Sequence, residues 1–219
     1  MTRRPVRLTA LTLTAAVALT LSACGGDDNS SEGKDKIAGA NTGDSSPSPS
    51  PATSDPAAAT RPKIDLPSDL SYKFEWPKTG DKDKDAVLAD SEQSIKAVDL
   101  AIVNQDALDK AYLTYYEGEA AASTQEFIQA YVDENARVTG SYRYYDAVAQ
   151  VRTKDTASLV YCEDQSRAYD MYLKPQKVNK TPVTKNSYVL YNTQLARTDK
   201  GIWVVQKMLS QRGSTKCQP

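Results

Sequence analysis

Residues 187–211 read SYVLYNTQLARTDKGIWVVQKMLSQ, and this stretch decides the fold. Ser187 to Thr198 and Ile202 to Gln211 are rich in β-branched and aromatic residues, the composition that suits a pleated, half-buried strand. Asp199-Lys200-Gly201 between them is a short hairpin loop, which makes the two strands antiparallel neighbours. Working backward, Val138 to Tyr145, Val148 to Arg152 and Ala157 to Ser166 have the same character, with turn residues between them. The second half of the chain therefore reads as a run of adjacent strands.

The preceding segment changes period. Ile95, Val98 and Ile102, supported by Leu88 and Ala101, recur at helical spacing from about Asp85 to Val103. A second helix is expected from about Asp106, carrying Leu108, Ala111, Tyr112 and Tyr115, and a third from about Ser123, carrying Phe127, Ala130 and Tyr131. Ser123-Thr124-Gln125-Glu126 has an acid three residues after a serine, the pattern of a capping box opening that third helix. Helices followed by a strand meander predict an α+β domain over residues 63–219, with three N-terminal helices packed on a curved, cone-like antiparallel β-sheet. That length suits one core.

Upstream, residues 1–23 have the order of a signal peptide: Arg3, Arg4 and Arg7, an apolar run from Leu8 to Leu21, then Leu21-Ser22-Ala23-Cys24. The apolar run is 14 residues, shorter than the roughly 20 needed to span a bilayer. Leu-Ser-Ala-Cys resembles the lipobox of bacterial lipoproteins, in which Cys24 becomes the lipidated first residue, bearing acyl chains such as palmitate. Two chains give stable membrane attachment where one gives only marginal binding. The expected location is the extracytoplasmic face of the cell membrane, with Arg3-Arg4 leaving twin-arginine export open beside the general route. Residues 24–62 follow as the lipidated cysteine and a disordered Ser/Pro/Gly-rich stalk, in which Ile37 is the one large apolar residue and Ser46 to Pro51 alternate serine with proline.

The chain has 27 basic and 28 acidic residues and no histidine. From Arg61 onward the two signs balance, which argues against a nucleic-acid partner. The missing histidine excludes Ser-His-Asp and Cys-His catalysis and the common His-containing zinc sites. Cys162 and Cys217, an even pair in an oxidising compartment, are expected to form a disulfide.

Three patterns merit chemical weighing. Asp81, Asp83, Asp85 and Glu92 fall at positions 1, 3, 5 and 12 of a calcium-loop pattern, but position 6 is Ala86 where the loop needs glycine. Acids at a helix N-terminus explain the same residues without a metal. Lys174, Lys177, Lys180 and Lys185 fall in a stretch free of acids between two strands, which reads as a solvated loop rather than a surface for anionic polymers. Tyr142 and Tyr144 share one strand face, as do Cys162 and Asp164. If those faces line a concavity, phenol and carboxylate converge there to bind or protonate a small molecule; otherwise the tyrosines pack the sheet.

Thr139-Gly140-Ser141-Tyr142-Arg143-Tyr144 and Tyr161-Cys162-Glu163-Asp164-Gln165-Ser166 resemble actinobacterial lipoproteins carrying a nuclear-transport-factor-2-like, or ketosteroid-isomerase-like, domain. The resemblance implies a cone fold whose members include isomerases, dehydratases and non-catalytic binding domains. Fold alone does not choose among these. Ketosteroid isomerases use an Asp base with a Tyr-containing oxyanion site, and no residue here aligns with those roles. The expected function is a membrane-anchored, non-catalytic binding or accessory module, partnered by a cell-envelope protein or a small apolar ligand and needing no cofactor. The alternatives are a cone-pocket enzyme using Tyr and Asp, and a carrier of an apolar small molecule.

Overall fold

The computed structural model describes residues 61–219. The signal peptide, Cys24 and all but the end of the stalk lie outside the described residues.

The expected α+β architecture is present, and it opens with a strand that periodicity did not indicate. β1 (Leu70–Phe74) precedes α1 (Lys82–Val103), α2 (Lys110–Tyr115) and α3 (Gly118–Asp133). Then come β2 (Ala136–Thr153), β3 (Thr156–Leu173), β4 (Gln176–Asn179), β5 (Tyr188–Arg197) and β6 (Trp203–Arg212). The sheet runs β1-β2-β3-β5-β6, with β4 paired to the far half of β3. β1 lies parallel to β2 at one edge, Tyr72 opposite Tyr142 and Phe74 opposite Tyr144. The remaining pairings are antiparallel, including the β5–β6 hairpin expected from residues 187–211.

Two strands expected on either side of residues 146–147 are one strand, β2, interrupted by a bulge. Tyr145 pairs with Cys162 and Val148 with Val160, so Asp146 and Ala147 together oppose Tyr161. Asp146 takes a positive φ of 52° there. A two-against-one bulge bends its strand, and here it keeps Tyr144 and Ala147 buried while Asp146 and Val148 face out. Gly140 has a φ of 96°, and a Cβ at this position would collide with the Arg167 carbonyl on β3. Only glycine fits that close approach.

The helices cover the concave face of the sheet. α1 starts at Lys82 because the Asp81 carboxylate accepts from the backbone N–H groups of Asp83 and Lys84, at 3.0 and 3.2 Å. α2 starts later than expected, capped by Asp109, which leaves Leu108 exposed in the turn before it. The expected capping box at Ser123 is absent. α3 begins five residues earlier, and Ser123 stands inside it, its hydroxyl donating to the Glu119 and Ala120 carbonyls. The buried face of α3 is Ala120, Thr124 and Ile128, one step out of phase with the expected Phe127 and Ala130; Ala130 is exposed, and Phe127, half exposed, borders the cavity described below. The expected loop between β3 and β5 holds β4 and a 3-10 turn, Lys185–Ser187.

Packing centres on Trp203, Tyr112, Tyr115, Ile102, Ile128 and Leu159, all fully buried. Complete burial of the aliphatic members, Ile102, Ile128 and Leu159, contributes roughly 1.5–3 kcal/mol each relative to exposure. The Cys162–Cys217 disulfide is formed, with 5.5 Å between Cα atoms, and fastens the C-terminal tail to the outer face of β3. Tyr145 reinforces it by donating its hydroxyl to the Cys217 carbonyl. Among the described residues, no helix is long and apolar enough to cross a membrane.

Candidate functional site

The helices do not fill the concave face. A cavity of about 400 Å³ remains between α1, α3 and the sheet, within the size range of small-molecule pockets. α1 contributes Ile95, Val98 and Asp99, successive positions of its sheet-facing stripe. β2 supplies Tyr142 and Tyr144, β3 supplies Tyr161 and Glu163, and β5 supplies Tyr191. Tyr116 enters from the α2–α3 junction, held there by its bridge to Val205 and by the Glu117 N–H donating to the Val205 carbonyl at 3.0 Å. The cavity thus carries five phenols and two carboxylates.

Both carboxylates are withdrawn from water: Asp99 is 8% exposed and Glu163 5%. Asp99 accepts the Tyr72 hydroxyl at 2.6 Å. Its desolvation pushes the carboxyl up to about 7, with the Tyr72 hydrogen bond pulling down and the charge of Glu163 adding to the rise. Glu163 accepts the Tyr144 hydroxyl at 2.8 Å and the Gln165 amide at 2.7 Å. Burial raises it as well, against those bonds and the nearby charge of Arg212. Burial first, then the neighbouring carboxylates, pushes Tyr142 and Tyr144 well above the ordinary phenol value, so both stay neutral phenols.

At the mouth, Arg212 donates to the Gln165 side chain at 2.7 Å and to the Asn186 carbonyl at 2.9 Å. Beyond it lies an outer basin of about 470 Å³, where Phe127, Tyr142, Gln165 and Arg212 meet Tyr131, Asp170 and residues 181–187. Thr124 lines the inner cavity at 3% exposure, and its hydroxyl has no hydrogen-bond partner.

Tyr142 and Tyr144 come together in this cavity, but Asp164 does not join them. Tyr144 faces Glu163 in register while Asp164 is opposite Arg143, one residue out of step and hence on the other side of the sheet. Asp164 accepts the Ser166 N–H at 2.8 Å. Cys162 shares that outer side, in its disulfide. The sequence signals for the acids that do face the cavity were present. Asp99 interrupts the apolar stripe Ile95, Val98, Ile102, and Glu163 continues the inward alternation Leu159, Tyr161.

The calcium-pattern acids are otherwise engaged. Asp81 caps α1, Asp83 accepts Arg197 at 3.2 Å, Asp85 accepts the Thr79 hydroxyl at 2.7 Å, and Glu92 stands 4.0 Å from Lys96 on the helix flank. Among the described residues, no cluster of three or more acids or cysteines is disposed to hold a metal.

The chain matches no protein-family model and no curated protein. Several solved structures align with it. A ketosteroid isomerase-like protein from Erwinia carotovora atroseptica does so at a TM-score of 0.42 and 12% identity, covering 61% of this chain and 98% of that one. The intermembrane space region of the chloroplast protein ARC6 aligns at 0.40 and 8%, covering 59% and 96%. A candidate scytalone dehydratase from Novosphingobium aromaticivorans aligns at 0.40 and 8%, covering 63% and 95%.

Proposed function

We propose that this chain is an extracytoplasmic lipoprotein, held to the membrane through Cys24, whose domain binds a small molecule in the acid-and-phenol cavity. One observation carries the binding reading: two buried carboxylates, Asp99 and Glu163, open into one cavity of about 400 Å³ among tyrosines. Desolvating two acids costs stability, and a cavity that opens onto both gives that cost a use. An open cavity also favours a small molecule over a protein partner as the ligand. The anchor is supported by Leu21-Ser22-Ala23-Cys24, and the Cys162–Cys217 bridge suits an oxidising compartment.

Native mass spectrometry of protein purified from its own host tests the binding reading: a retained molecule, lost in a Glu163→Gln, Asp99→Asn double variant, is the expected result. No retained mass and no binding from a cell-envelope extract would reject it. Fractionation tests the anchor, Cys24→Ser moving the protein out of the membrane fraction.

A second reading, proton-transfer catalysis, is favoured by the position of Asp99 near neutrality, where a general base works best. Binding comes first because Tyr72 and Tyr144 already donate to the carboxylates rather than standing free for a developing oxyanion. Turnover of an enolisable ketone, abolished by Asp99→Asn in a folded protein, would reverse that order.

A further inference from the structure

We propose that the ligand is a protonated primary amine with an apolar body, its ammonium seated between Asp99 and Glu163 and its body against Ile95, Val98 and Phe127; this rests on the binding reading above. The argument is one of charge balance. The two carboxylates share a cavity, and the charge of Glu163 disfavours the ionised form of Asp99. The cation at the mouth, Arg212, is engaged with Gln165 and the Asn186 carbonyl, and its charge reaches Glu163. Asp99 has no such compensation. The groups acting on it are Tyr72 from β1, whose hydrogen bond lowers it, and Glu163 from β3, whose charge raises it; its own charge in turn raises Tyr116 beside α2, Tyr131 from α3, and Tyr142 and Tyr144 from β2, and among the described residues none of these is a cation.

Other ligand classes fit less well. An anion meets two like charges. A neutral apolar molecule removes the last water from both acids and returns no hydrogen bond. An ammonium offsets one of the two negative charges and donates up to three N–H bonds, and the surrounding tyrosine rings favour a cation over their faces. A quaternary ammonium satisfies the rings but has no N–H for the carboxylates. The unpartnered Thr124 hydroxyl, buried in the α3 wall, gives a third polar contact to the bound head group.

Isothermal titration of the chain carrying Cys24→Ser decides the matter, using n-butyl-, n-hexyl-, n-octyl- and 2-phenylethylammonium against the alcohols of the same carbon skeletons. The expected result is that at least one ammonium binds and its alcohol binds at least tenfold more weakly. Affinity should rise about tenfold per pH unit from pH 5 to 7 and level off above, because the ammonium displaces the Asp99 proton. Asp99→Asn should weaken binding at least tenfold and abolish that slope, circular dichroism confirming the fold. An alcohol equal to its ammonium, or an Asp99→Asn chain with unchanged affinity, overturns the amine assignment and leaves the binding reading standing. Failure of every ammonium, with a different molecule retained in host-purified protein, overturns the amine alone; failure with nothing retained overturns both.

Discussion

Asp90 and Asp99 stand nine residues apart on the same helix, α1, and both are nearly sealed from water, yet their surroundings are opposite. Asp90 is bonded on both of its carboxylate oxygens. The Arg61 guanidinium donates to it at 2.7 and 3.1 Å, and the Trp203 backbone N–H donates at 2.9 Å. Asp99 has one phenol and an open cavity. A buried charge paired with a guanidinium and bonded on both oxygens is structural, because removing it strands its partners. A buried charge left without a cation beside empty space is costly to the empty protein, and a ligand can recover that cost.

The comparison breaks most readily at Asp90. Asp90→Ala removes the partner of a half-buried guanidinium and orphans a buried N–H, and urea denaturation should show a loss of about 3 kcal/mol. At Asp99 the sign reverses. The folded protein holds the Asp99 proton up to about pH 7, whereas the unfolded chain releases it near pH 4. Between those values the folded state binds more protons, so this group lowers stability as pH rises through the window. Asp99→Asn should therefore stabilise the empty protein at pH 8 by on the order of 2 kcal/mol and flatten that part of the stability–pH curve, measured by denaturation at pH 4 to 8.

Smaller effects sharpen the contrast. Tyr72→Phe deletes the single donor to Asp99; it should cost about 1 kcal/mol and raise the Asp99 titration further, followed by carboxyl-carbon NMR. Asp164→Asn, on the outer side of the sheet, should change stability by less than about 0.5 kcal/mol and leave ligand affinity unchanged. A tenfold loss of affinity on Asp164→Asn would mean that the wrong face of β3 has been assigned.

The parts of this fold legible in the sequence are those with a strong local signal. The 199–201 hairpin, the helical stripe Ile95–Val98–Ile102 and the cysteine pair each announce themselves through spacing or residue type. β1 was not legible because Leu70–Phe74 is five residues long and exists through its parallel pairing with β2, a partner some seventy residues away. β2 looked like two strands because the bulge at Asp146 breaks the alternation that marks a strand. For the site, Tyr142 and Tyr144 were found through their shared face, but the choice of Asp164 required knowing which face of β3 turns inward. The register of β3 against β2 settles that, and it places Glu163 inside. Asp99 is not legible from the sequence as a site residue because a single acid within an apolar stripe carries no signal of the cavity beside it.

The pair formed by Arg61 and Asp90 also sets the mechanics of the domain's entrance. Asp90 holds Arg61 on one side and the first residue of β6 on the other, so a pull on the chain ahead of Arg61 is shared between α1 and a strand of the sheet. The load path bypasses β1, the edge strand nearest in sequence, whose five pairings would otherwise be first to peel. If the chain is held from its N-terminal side, as proposed, that force passes into α1 and β6, leaving the tyrosine wall beside β1 outside its path.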